Sequence, residues 1–301
     1  MATRTHAETL GFLGLGQMGN PMARNLLRAG YRLIAFDIVP ERLRAIVAAG
    51  AEAGRTAADA IERSEVVLTS LRSSEMFVQV AEADLLPHAR PSQVFIDLGT
   101  TAPPETRRLA SAFAAKGATL LDVPVSGGPH GIETLTLRMF AGGDEDVFAR
   151  CRPILEALGG PNHLVYCGPS GSGQVVKGVN QLAMGLADAA YMEAMAFGVR
   201  AGVKLEAIRD AVGGTDGWRG HLAALAQRIL DGHGESLWVK FPELPYYLAE
   251  AAERGIELPL TRALRAFLES ADPRWRDNMG RPTVSFWHEV MTRKPEDSAG
   301  V

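Results

Sequence analysis

The chain has 301 residues, 47% of them hydrophobic and 22% charged, with a formal net charge of −4. This is the balance of a globular chain of about two domains, without the basic footprint that nucleic acid or an anionic membrane surface would require. No apolar run is expected to approach the length of a membrane span. The first apolar run, at Leu10, lies close to the first residue, and no removable targeting peptide is expected. Cys151 and Cys167 form no metal pattern and read as buried thiols of a reducing cytoplasm. His288-Glu289 lacks the second histidine of a zinc-protease helix, and no metal site is expected.

Thr9 to Leu13 reads as a strand that runs into Gly14-Leu15-Gly16-Gln17-Met18-Gly19. A helix from Pro21 to Ala29 follows, closed by Gly30, and a second strand from Arg32 to Phe36 ends at Asp37. Strand, glycine-rich turn, helix, strand and acid in this order form a dinucleotide-binding pattern. Gly14 makes the tight turn, Gly16 admits the pyrophosphate to the backbone, and Gly19 lets helix and strand pack closely. The pyrophosphate then meets the amides of the helix N-terminus. Glycines cluster in many loops, so the flanking elements carry this reading rather than the glycines alone. Asp37 is placed to accept from the adenosine ribose and to repel a 2′-phosphate. Arg42 would offset that repulsion by folding back, so NAD is expected and NADP stays open.

Helices are expected near Pro40, Thr56, Glu75, Pro103 and Glu145, and strands over 66–71, 94–98, 119–123, 137–140 and 164–167. Such alternation predicts a mainly parallel sheet covered on both faces, with ligands beyond the carboxyl ends of its strands. Three turns lie there: Leu71-Arg72-Ser73, Gly99-Thr100-Thr101 and Pro124-Val125-Ser126-Gly127-Gly128. In the last, a hydroxyl followed by two glycines leaves backbone amides open as a nest suited to a carboxylate. The alternative is an ordinary flexible turn.

The stretch Gly168–Arg200 opens with Gly, Pro and Ser and continues as an alanine- and methionine-rich helix, with Ser170 or Ser172 as N-cap and Gly202 as stop. A helix of about thirty residues spans roughly 40 Å, enough to leave one domain and enter another. Lys177, Asn180 and Gln181 share one of its faces. A lysine in the first turns feels the positive helix end, which tends to lower its pKa and suits it to proton transfer. For a lone lysine, a solvated surface role is the alternative. Beyond Arg200 only helices are expected, over 205–212, 221–230, 242–254 and 260–270. They predict an all-helical second domain whose uncovered apolar faces favour a homodimer or homotetramer. Trp218, His221, Trp238 and Phe241 are candidates for lining a pocket or for simple core packing. Trp275, Phe286 and Trp287 are expected to pack on a neighbouring surface, with disorder from Arg293.

Gly14-Leu15-Gly16-Gln17-Met18-Gly19-Asn20-Pro21-Met22-Ala23-Arg24-Asn25-Leu26-Leu27, Asp122-Val123-Pro124-Val125-Ser126-Gly127-Gly128 and Gly171-Ser172-Gly173-Gln174-Val175-Val176-Lys177 together resemble the signatures of the β-hydroxyacid dehydrogenases. The resemblance runs from Gly11 to about Thr261. It implies a Rossmann-type α/β domain over 1–168 and an all-α substrate and dimerisation domain over 169–301, joined by the long helix. It further implies Lys177 as general acid/base, with Ser126, Gly127 and Gly128 holding a small carboxylate substrate. Leu71 and Thr100 lie along the cofactor, Thr100 near the nicotinamide. Asn180 and Gln181 supply amides, and Lys240 reaches back to the active site. Three positions depart from the pattern: Gln181 replaces an asparagine, Phe241 an acid and Leu135 a glycine. The expected reaction is reversible NAD(P)-dependent oxidation of a β-hydroxy acid. The rivals are an imine reductase, which lacks the lysine, and a non-catalytic cofactor-binding relative.

Overall fold

A computed structural model describes residues 8–232, 243–270 and 291. The chain divides into two compact units, Met1–Gly178 and Val179–Val301.

In the first unit, β1 (Thr9–Leu13), α1 (Gly19–Arg28), β2 (Arg32–Phe36), α2 (Pro40–Val47), β3 (Glu52–Ala53), α3 (Ala57–Glu62), β4 (Val66–Thr69) and α4 (Ser74–Val80) alternate. The π-helical Ala81–Leu85 leads into the single turn α5 (Leu86–His88), then β5 (Val94–Asp97), α6 (Pro103–Ala114) and β6 (Thr119–Asp122). The remainder comprises β7 (Val125–Ser126), α7 (Gly128–Glu133), β8 (Arg138–Gly142), α8 (Glu145–Gly159), β9 (Leu164–Gly168) and the start of α9 (Ser172–Arg200). One sheet runs β3-β2-β1-β4-β5-β6-β8-β7, with β9 paired to β8. The pairs from β3 through β6 are parallel, while β8 runs antiparallel to β6 and β7. The short β7 and α7 occupy the stretch expected to be a turn.

Strand alternation sends side chains into two cores. Leu10, Phe12, Leu33, Leu68, Ile96, Leu121 and Met139 face Met22 and Leu26 of α1 and Phe148, Ile154 and Leu155 of α8. Leu13, Ile34, Val67, Phe95 and Leu120 face Ile61 of α3, Phe77 of α4 and Phe113 of α6. With both faces covered, only the strand ends stay open to a ligand. The strand order switches sides at β1, with β2 and β3 added on one side and β4 to β6 on the other, so the turn after β1 opens into the crevice at that switch point.

The second unit holds the rest of α9 and α10 (Leu205–Val212), α11 (Gly217–Leu230), α12 (Leu244–Glu253) and α13 (Pro259–Ser270). Met192, Met195, Ala196, Leu205, Leu222, Leu225, Ile229, Leu244, Leu264 and Leu268 form its core. The expectation that no segment has spanning length is corrected by α9. By length and composition it could cross a membrane, with a mean hydropathy of 1.2 in its most apolar window. Charges at Lys177, Asp188 and Glu193 break the run in sequence. Part of its apolar character has a place inside the protein, where Met192, Met195 and Ala196 pack in the helical core, while Val179, Met184 and Phe197 are exposed.

Candidate active site

The glycines after β1 differ in what surrounds them. Gly14 has φ +91°, and a Cβ there would lie 2.5 Å from the carbonyl oxygen of Ser70. A Cβ on Gly19 would lie 1.9 Å from the Gly14 carbonyl oxygen. Gly16 has no positive φ, and a Cβ there would meet nothing within 4 Å. No contact or backbone strain within the fold calls for a glycine at 16. The N-terminus of α1 follows directly, with no side-chain cap and no acid in its first turn. Leu15, Gln17 and Met18 fill the rest of the turn, Leu15 buried and Gln17 exposed. Uncapped amides, a positive helix end and an open glycine together suit a pyrophosphate.

Asp37 closes β2 and is buried. It accepts hydrogen bonds from the backbone N–H of Leu15 at 2.6 Å and of Val39 at 2.7 Å, which tie the turn to the end of β2. Arg42 Nη1 lies 3.8 Å from its carboxylate, so the cation needed to tolerate a 2′-phosphate stands beside the acid. Leu71 lies between two turns: its Cδ2 would be 3.1 Å from a Cβ on Gly14, and its carbonyl oxygen 3.2 Å from a Cβ on Gly99.

Lys177 is buried, and its Nζ donates to the carbonyl oxygen of Val125 at 2.8 Å. Ser126 is the next residue, followed by Gly127 at φ +131° and Gly128 at φ +63°. A Cβ on Gly128 would meet nothing within 4 Å. The two glycines turn the chain from β7 into α7 through backbone that L side chains disfavour. The structure thus brings together two segments some fifty residues apart: a buried lysine amine, a serine hydroxyl and an open glycine pair.

What holds Lys177 there is a polar network that residue spacing did not single out. Asp122, at the end of β6, accepts from the amides of Gly171 at 2.8 Å and Gln174 at 3.0 Å, and so caps α9 in place of the expected Ser170 or Ser172. The buried Gln174 side chain accepts from Thr101 N–H at 3.0 Å and donates to the Gly99 carbonyl at 3.0 Å, clamping the loop that carries Thr100. Asp97, at the end of β5, accepts from Thr101 Oγ1 at 2.7 Å and Gly99 N–H at 2.9 Å. The readable signal was an acid closing each of two adjacent strands, Val94–Asp97 and Thr119–Asp122.

Burial pushes Asp97 up to about 6, against the hydrogen bonds it accepts. Burial likewise pushes Asp122 up to about 7, opposed by the amides of Gly171 and Gln174 and aided by the charge of Asp97. A carboxyl whose folded pKa is raised contributes stability that is present in full below its unfolded value and lost as pH rises through the folded value. For Asp122 that window runs from about 4 to 7, and a shift of about three units corresponds to at most about 4 kcal/mol. The thermal stability of the wild type should therefore fall relative to that of Asp122→Asn as pH is raised from 5 to 8. A difference in Tm that stays constant over this range would refute the assignment.

In the second unit, Asn180 Nδ2 donates to Gln181 Oε1 at 3.1 Å, and Gln181 Nε2 donates to Glu243 Oε2 at 2.9 Å. Tyr247 Oη donates to the same Glu243 oxygen at 3.4 Å. Burial and the Glu243 charge push the Tyr247 phenol well above its ordinary value. The extra methylene of Gln181 thus carries its amide to a buried acid. Trp218 is half exposed under the Arg219 guanidinium, 4.5 Å from its ring centroid. His221 Nε2 meets the buried Asp188 Oδ1 at 2.5 Å. Lys240, Trp238, Phe241, Trp275, Phe286 and Trp287 lie outside the described residues. Cys151 is buried, and that burial pushes its thiol up to about 11. Cys167, expected buried, is only half-buried beside the end of the sheet.

Leu135 has φ +55° and is 48% exposed. A left-handed conformation costs a non-glycine residue about 1–2 kcal/mol, which explains a preference for glycine at this position. Leu135→Gly should raise stability by about 0.5–1 kcal/mol after the added freedom of the unfolded chain is counted. Denaturant titration would show it as a higher midpoint at unchanged slope; a lower midpoint would mean that the leucine side chain contributes packing.

The family model for the NAD-binding domain of 6-phosphogluconate dehydrogenase matches residues 9–168. The model for the NAD-binding of NADP-dependent 3-hydroxyisobutyrate dehydrogenase matches residues 171–279. The chain is 40% identical over 211 residues to a 3-hydroxyisobutyrate dehydrogenase of Pseudomonas aeruginosa, covering 68% of this chain and 70% of that one. It is 37% identical over 205 residues to the NAD-dependent L-serine dehydrogenase of the same organism, covering 67% and 68%. With the 2-(hydroxymethyl)glutarate dehydrogenase of Eubacterium barkeri, identity is 32% over 258 residues, covering 84% and 85%. Among solved structures, the 3-hydroxyisobutyrate dehydrogenase of Mycobacterium tuberculosis with L-serine superposes with a TM-score of 0.77 at 27% identity, covering 95% and 98%. An imine reductase of Streptomyces aurantiacus, at 22% identity and a TM-score of 0.61 over 86% and 92%, shares the fold. The cofactor is NAD or NADP, which the turn after β1 fits. The chain belongs to the β-hydroxyacid dehydrogenases, NAD(P)-dependent oxidoreductases with a Rossmann-type domain and a helical domain joined by a long helix.

Proposed function

We propose that the protein interconverts a small β-hydroxy acid and its semialdehyde or β-keto acid, with Lys177 as general acid/base. The observation that carries this reading is the buried Lys177 Nζ held 2.8 Å from the Val125 carbonyl, one residue before Ser126. Ser126 and the amides of Gly127 and Gly128 hold the substrate carboxylate. A hydroxyl two carbons from that carboxylate then comes within reach of Lys177 Nζ. In oxidation the neutral amine accepts the hydroxyl proton; in reduction the ammonium returns it. The bound nicotinamide supplies the hydride acceptor or donor. Gly14 to Gly19 bind its pyrophosphate and Asp37 the adenosine ribose, while Leu71 and Thr100 line its course toward the nicotinamide. Gln174 and Asp122 keep the Thr100 loop and the start of α9 in register, so that the proton carrier and the cofactor loop share one support.

The lysine favours this chemistry over imine reduction. The relatives' names, 3-hydroxyisobutyrate, L-serine and 2-(hydroxymethyl)glutarate dehydrogenases, share a β-hydroxy carboxylate and differ in what C2 carries. The enzyme is read as cytoplasmic, and the exposed Val179, Phe197 and Leu260 of the helical unit support a homodimer or homotetramer. NADH and NADPH formation with 3-hydroxypropionate, 3-hydroxyisobutyrate, L-serine and lactate tests the reading. Turnover of β-hydroxy acids with lactate inert is expected; a preference for lactate, or activity confined to cyclic imines, would overturn it.

A further inference from the structure

β7 and β8 are antiparallel, with Val125 opposite Met139 and Ser126 opposite Arg138. Directly opposed residues of such a pair project to the same face, with Cβ atoms about 4.5–5.5 Å apart. Val125 and Met139 belong to the apolar core beneath the sheet. Successive side chains alternate, so Ser126 and Arg138 project together from the other face. Leu137 and Met139 on either side of Arg138 are buried, yet Arg138 is exposed. Among the described residues it makes no ion pair. A guanidinium thus stands beside the serine that opens the Ser126–Gly128 nest, with its charge uncommitted within this unit.

We infer that Arg138 is a specificity-determining residue that binds a second carboxylate, carried on C2 of the substrate. The inference rests on the carboxylate site proposed above. A guanidinium offers a planar pair of N–H donors that matches a carboxylate. With the first carboxylate on Ser126, Gly127 and Gly128, a substituent one or two carbons long brings a second one to the neighbouring strand. The preferred substrate class is then a hydroxymethyl dicarboxylate rather than a β-hydroxy acid with an apolar or cationic substituent. Arg138 takes no part in proton or hydride transfer, so its effect falls on KM.

The test compares 2-(hydroxymethyl)succinate with 2-(hydroxymethyl)butanoate, which lacks the second charge, in the wild type, Arg138→Gln and Arg138→Lys. The wild type should favour the dianion in kcat/KM by about tenfold or more, as one charge-assisted hydrogen-bonded pair supplies. Arg138→Gln should raise KM for the dianion by a similar factor, with kcat and all butanoate parameters unchanged, and Arg138→Lys should keep part of the preference. Calorimetric titration of succinate and butyrate should follow the same order without turnover. Equal use of the two substrates by the wild type, or an equal loss on both in Arg138→Gln, would overturn the inference while Lys177-dependent turnover left the parent reading standing. Absence of Lys177-dependent turnover on every β-hydroxy acid would remove the parent reading and this inference with it.

Discussion

Lys177→Ala should lower kcat for β-hydroxy acid oxidation by two or more orders of magnitude, the usual range for a positioned proton carrier. NAD should still bind, because the turn after β1 and Asp37 lie on other elements of the sheet. The side chain is 6% exposed and reaches over the Val125 carbonyl, so its loss removes the base without disturbing the Asp122 cap at the start of α9. Lys177→Arg is the sharper variant. It retains charge and bulk but does not deprotonate in the working range, so it should be as inactive as alanine. Fluorescence titration of NADH checks cofactor binding in the same samples. Substantial activity in either variant would show that another group moves the proton.

The second large effect separates two glycines of one motif. Gly16→Val should leave thermal stability near that of the wild type, because a Cβ there has open space around it. Its affinity for NAD should nevertheless fall by at least about tenfold, since the branched side chain occupies the room the pyrophosphate needs. Gly19→Ala should do the reverse in order of cause. Its methyl would meet the Gly14 carbonyl oxygen at 1.9 Å, so α1 must move away from β1. That overpacking costs about 3 kcal/mol or more, and cofactor binding is lost with the fold of the turn. Circular dichroism melts beside NADH titration distinguish the two. A destabilised Gly16→Val of normal affinity would contradict the assignment of that space to the cofactor.

The fold was legible where local chemistry decides structure. The strands Thr9–Leu13 and Arg32–Phe36 and the helix Leu205–Val212 lie where their apolar patterns put them. Other elements shift by a few residues at their ends, where pairing partners rather than propensity set the limit. Val66–Leu71 was expected to be a strand, but the ladder with β5 ends at Thr69 opposite Asp97. β7 was not legible: two residues are too few to show alternation, and its pairing with β8 depends on the reversal at Gly127 and Gly128. The π-helical Ala81–Leu85 was likewise invisible, since its composition is that of an ordinary helix.

The candidate site divides in the same way. Gly14 to Gly19, Ser126 to Gly128 and Lys177 belong to short motifs whose residue types are dictated by the ligand they meet. Their supports are distant in sequence. Asp122 caps a helix that starts fifty residues later, and Gln174 clamps Gly99 and Thr101 more than seventy residues earlier. Those partners are chosen by topology, because β5 and β6 lie side by side and end beneath the start of α9. The side-chain bond from Gln181 to Glu243 spans 62 positions and is invisible to spacing for the same reason. Leu135 is the informative exception. Its substitution for a glycine was visible in the chain, but the φ of +55° that gives the difference meaning belongs to the fold.

The most direct test of the central claim is a crystal structure of Lys177→Ala with NAD and 3-hydroxypropionate. The account predicts the carboxylate on Ser126 Oγ and the amides of Gly127 and Gly128, with the hydroxyl turned toward residue 177 and the hydroxyl-bearing carbon facing the nicotinamide. A carboxylate bound elsewhere, or a hydroxyl beyond the reach of a lysine at 177, would contradict it.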